Sequence, residues 1–168
     1  MPETQKGKTG KPKIEDVIIG LVKKEWQEAA LDFVGYIRSN KLTPAWASTN
    51  SWKVNYKGQC LCYIRTAGTA PYHDLNDGSW HIHFAVYSDQ VYRILASDES
   101  IKAIWNKVKS CTKCSNCTPA NKLDINGKNF DNVCHQWLTL KNPDAEMLDC
   151  AKKLVEAIRC NASGSNQA

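Results

Sequence analysis

Near the start of the chain, apolar residues recur at three- and four-residue steps. Ile14, Val17, Ile18, Leu21 and Val22 form one such run, with Glu15 and Asp16 at the end where a helix dipole favours acids. The spacing predicts a short amphipathic helix from Ile14 to about Lys24, with Gly20 as its weak point. Trp26, Ala29, Ala30, Phe33, Val34 and Ile37 make a second helical face, which Asn40 and then Pro44 bring to an end. The two runs read as a helical hairpin or one kinked helix.

At Trp52 the period changes from helical to alternating. Trp52-Lys-Val-Asn-Tyr-Lys-Gly-Gln-Cys-Leu-Cys-Tyr-Ile-Arg65 reads as two strands around a tight turn, with Gly58 in the left-handed position of a type I turn with a bulge. A three-residue loop of Tyr56, Lys57 and Gly58 pairs Val54 with Cys60 and Trp52 with Cys62. It places these four and Ile64 on one apolar face. After a loop from Ala67 to Ser79, Trp80 to Tyr87 alternates again, with Trp80, Ile82, Phe84 and Val86 inward. Ser97 or Asp98 caps a helix running to about Lys109, whose stripe is Ile101, Ile104, Trp105 and Val108. Asn142-Pro143-Asp144 opens a last helix to about Arg159, with Leu148, Ala151, Leu154, Val155 and Ile158 inward.

These elements predict an α+β fold: an antiparallel sheet of three or more strands packed against N- and C-terminal helices, with a cysteine-rich, metal-stapled loop. The expected organisation is a flexible basic tail over 1–13, a single domain over 14–160 containing the cysteine-rich segment 110–135, and a disordered tail over 161–168.

Composition agrees with one core. A chain of 168 residues with 42% hydrophobic and 23% charged residues is ordinary for a globular domain. No apolar run approaches the ~20 residues of a membrane span. Lys6, Lys8, Lys11 and Lys13 are not followed by the apolar stretch of a secretory signal. The expectation is a soluble cytoplasmic protein without a membrane partner. A net charge of +5 permits weak contact with anions. Without a zinc-finger histidine pair, an RNA-binding aromatic signature or a dense Arg/Lys stripe, nucleic acid is the less expected partner.

Eight cysteines in a secreted chain would suggest four disulfides. Without an export signal, reduced thiols or metal ligands are favoured. Cys111, Cys114 and Cys117 form a Cys-x2-Cys-x2-Cys run, and Cys134 follows after sixteen intervening residues. Two thiolates at that spacing grip one ion from a tight turn, and four complete a tetrahedral zinc site. An iron-sulfur cluster is the alternative cofactor, although the bacterial ferredoxin run places its fourth cysteine much closer, before a proline. The competing readings are a redox Cys-x-x-Cys pair, partial disulfides or unconnected thiols. His135 reads as a neighbour of the site. Cys60, Cys62, Cys150 and Cys160 read as buried structural thiols.

The outer face of the predicted sheet is chemically richer. Lys53, Asn55, Tyr63 and Arg65 fall beside His81, His83 and Tyr87, a cationic, aromatic and hydrogen-bonding surface suited to a small anionic or aromatic ligand. A plain solvated sheet face competes with that reading, and His81-x-His83 is a weak metal pair without a third ligand. Trp46, Trp52, Trp80, Trp105 and Trp137 serve a core or converge on a pocket. His73 and Asp74 form an acid/base pair only if a nucleophile such as Cys62 or Tyr63 reaches them.

Trp52 to Gly58, Cys62 to Arg65, the cysteine run, Ile125-Asn-Gly-Lys-Asn-Phe-Asp-Asn-Val-Cys134 and Asn142-Pro-Asp144 together resemble a group of small uncharacterised bacterial cytoplasmic proteins over about residues 25 to 160. In that group a cysteine cluster precedes a Gly-Lys-x-Phe-Asp-x-Val-Cys segment. The resemblance implies no activity. Three functions follow from the residues: a non-enzymatic binding module with a structural zinc; a thiol-redox or metal-handling protein; and an enzyme using His73, His81 or His83.

Overall fold

The two N-terminal stripes form separate helices, α1 (Ile14–Leu21) and α2 (Lys24–Ser39). The structure, a computed structural model, describes residues 10–66, 77–85, 93–95, 97–105, 107, 123–125, 127–130 and 137–164. The helical break falls after Gly20. Val22 turns extended, its N–H still donating to Ile18 O at 3.0 Å, while the Lys23 N–H leaves the helix for Gly78 O at 2.9 Å. Gln27 Nε2 then donates to the carbonyls of Ile19 and Val22, satisfying acceptors that the end of α1 leaves open. At the far end of α2, Lys41 takes φ 60° and the Leu42 N–H returns to Ile37 O at 3.0 Å, a left-handed helix stop.

Five antiparallel strands follow in the spatial order β1-β2-β3-β4-β7: β1 (Pro44–Ser48), β2 (Ser51–Tyr56), β3 (Gln59–Thr66), β4 (Trp80–Ala85) and β7 (Trp137–Lys141). Between β4 and β7 in the chain come a 3-10 turn (Glu99–Ile101) leading into the short helix α3 (Lys102–Trp105), and a separate ribbon of β5 (Leu123–Ile125) and β6 (Lys128–Phe130). The last helix, α4, spans Ala145–Gly164. This is the expected α+β class, with β1 and β7 as additional strands. The ribbon lies inside the segment read as a bare cysteine-rich loop, and Gly127 in its connection takes φ 76°. Cys111, Cys114, Cys117 and Cys134 fall outside the described residues, so the metal-stapled loop gains no structural support.

The β2–β3 turn differs from expectation. Lys57 and Gly58 both take positive φ, 47° and 82°, in a two-residue loop closed by Tyr56 opposite Gln59. A bulge then shifts the register, so that Val54 faces Cys62 and Trp52 faces Ile64. Val54 and Trp52 thus meet partners two positions further along β3 than the three-residue loop implied. An even shift preserves the faces of Trp52, Val54, Cys62 and Ile64, all buried. Cys60 is not on that face, because the bulge sets it opposite Asn55 and leaves it half-buried.

The inner face of the sheet continues through Ile82 and Phe84 of β4 to Leu140 and Leu138 of β7, their cross-strand partners. Ile14, Ile18, Phe33, Val34 and Ile37 from the first helices and Leu148, Ala151, Leu154, Val155 and Ile158 from α4 complete one core. Phe33 meets Trp80 at a centroid distance of 6.3 Å. Trp52, Trp80 and Trp105 are buried in this core, with Trp46 edge-on to Trp52 at 5.3 Å. Asp98 caps the 3-10 turn by accepting from Ser100 N at 2.8 Å, and Asp144 caps α4 by accepting from Met147 N at 2.9 Å. That helix continues past the expected Arg159. Ser163 Oγ donates to Arg159 O and contacts the Tyr56 hydroxyl, tying the added turn to the sheet. Cys150 is buried as expected, whereas Cys160 is exposed.

Candidate functional site

Strand alternation puts Ser51, Lys53 and Asn55 of β2, Tyr63 and Arg65 of β3, His81 and His83 of β4, and Thr139 and Lys141 of β7 on the face opposite the core. Register arranges most of them into two rows across four strands. One row runs Lys53, Tyr63, His83, Thr139, and the other runs Ser51, Arg65, His81, Lys141, each residue facing the next on the neighbouring strand. Directly opposed side chains lie roughly 4.5–5.5 Å apart at Cβ, so each row is a line of contacts.

Tyr63 is the centre of charge. Lys53 Nζ lies 5.9 Å and Arg65 Cζ 5.5 Å from its ring centroid, within cation–π range. His81 and His83 stand side by side on β4, their rings 5.4 Å apart and tilted by 37°. Thr139 Oγ1 lies 3.0 Å from His83 Nδ1, a hydrogen bond that fixes the ring. Both histidines are buried, at 5% and 0% exposure, so this is not a bare wet sheet face. Around them Lys53, Tyr63, Arg65 and Thr139 are half-buried, Asn55 and Lys141 are exposed, and Ser51 is buried. At the other edge Lys141 Nζ donates to Asp77 Oδ2 at 2.8 Å.

The two rows hold three permanent cations, Lys53, Arg65 and Lys141, and no carboxylate. Asp77, outside them, is held well below the usual carboxylate range by the hydrogen bond from Lys141 and then by Ser79. Cys60 joins this face at its Asn55 end. Burial pushes its thiol up against the opposing influence of Lys53 and a hydrogen bond with Tyr63. On the core side, full burial pushes Cys62 up much further, with Cys60 adding to the effect. Raising both thiols lowers their thiolate content near neutral pH and with it their nucleophilicity, and Cys60 Sγ donates weakly to Cys62 O. Among the described residues no group of three or more His, Cys, Asp or Glu is placed to hold a metal ion, so His81 and His83 have no third ligand there.

Of the residues read from sequence, Lys53, Asn55, Tyr63, Arg65, His81 and His83 share one face, as the alternation required. Tyr87, His73, Asp74 and the four-cysteine set lie outside the described residues. Ser51, Cys60, Thr139 and Lys141 belong to the same face and were missed. Parity with Lys53 was the available signal for Ser51, and the alternation of Trp137-Leu-Thr-Leu-Lys141 for the other strand. No protein-family model, curated protein or solved structure matches the chain, and the resemblance carried by its cysteine segment stays an expectation of the sequence. Among the described residues, no helix is long and apolar enough to cross a membrane.

Proposed function

We propose that the protein is a non-enzymatic binding module whose polar sheet face takes a small anionic or aromatic ligand, and that a separate zinc ion held by Cys111, Cys114, Cys117 and Cys134 is structural. The observation that carries the binding reading is the cross-strand cluster of Lys53, Tyr63 and Arg65, two cations over one ring, backed by His81 and His83. Rows with cations and no carboxylate favour an anion, and half-burial of the donors strengthens their field relative to a fully wet surface. The ring offers a flat apolar contact to an aromatic ligand. The zinc reading rests on cysteine spacing alone, which matches four-thiolate structural sites.

Benzoate combines both ligand properties and is a suitable probe. Calorimetric titration of the purified protein should give saturable binding. Tyr63→Ala and Arg65→Gln should each weaken it by about tenfold, the effect of losing about 1.4 kcal/mol. Unchanged affinity in both variants would remove the sheet face from consideration. Elemental analysis of protein purified without chelators should give one zinc per chain, and chelation should loosen the cysteine segment. A brown chromophore in place of colourless metal would assign an iron-sulfur cluster instead.

A further inference from the structure

We draw no further inference here: the strongest candidate, the exposed apolar surface patch of Ile19 and Leu21 at the C-terminal end of α1, carries nothing because nothing in the structure shows what covers it.

Discussion

Cys60 and Cys62 are two residues apart on β3 and occupy opposite environments, one half-buried on the polar face and one fully buried in the core. Burial pushes both thiols up, Cys62 far more, and access decides the rest of their reactivity. Iodoacetamide followed by peptide mapping should therefore find Cys160 alkylated before Cys60, and Cys62 only after unfolding. Early modification of Cys62 would contradict its place in the core. Phe33 is fully buried against Trp80, and Phe33→Ala should lower unfolding free energy by about 3–5 kcal/mol in urea titrations. Asp77 gives a pH signature. Its folded pKa is depressed, so its contribution is present above the unfolded value of about 3.9 and is lost as the pH falls through the folded one. The difference in urea midpoint between wild type and Asp77→Asn, present near neutral pH, should close in strong acid. A constant difference across that range would mean that the Lys141 contact does not set it.

At the scale of elements, turns and caps carry the local instructions. Gly58 at φ 82° should not tolerate a side chain well, and Gly58→Ala should cost about 1–2 kcal/mol even though nothing stands within 4 Å of the added carbon. Asp144→Ala removes the α4 cap and should cost about 1 kcal/mol by the same unfolding measurement. The helices were legible because their stripes are long and their ends are marked chemically: Asn40 at the stop of α2 and Asp144 at the start of α4 are visible in the sequence as such. The β2–β3 faces were legible as well, since alternation survives an even register shift. The bulge was not, because Leu61 buries its side chain and so does not interrupt an apolar run. Strand β1 was hidden by its length and its leading proline, which reads as a helix terminator. Strands β5 and β7 flank cysteine-rich chain, where the expectation of a metal-organised loop overrode the Asn126-Gly127 and Trp137–Lys141 signals.

For the whole molecule, sequence period places a residue on one side of a sheet, while register and burial decide whether it belongs to a site. Lys53, Tyr63 and Arg65 were found by period alone. The burial of His81 and His83, the unmatched Ser51 hydroxyl and the Thr139 contact emerge only when four strands are aligned. A net charge of +5 permits contact with anions, and in the proposed reading the rows without carboxylate direct it to one sheet face. The central claim is that this face binds a small anion. Amide chemical-shift mapping of the isotope-labelled protein during titration with benzoate tests it most directly. The predicted result is saturable shifts centred on Lys53, Tyr63, Arg65, His81 and His83, with α1, α2 and α4 unaffected. Shifts centred on the helices, or none at saturating ligand, would contradict it.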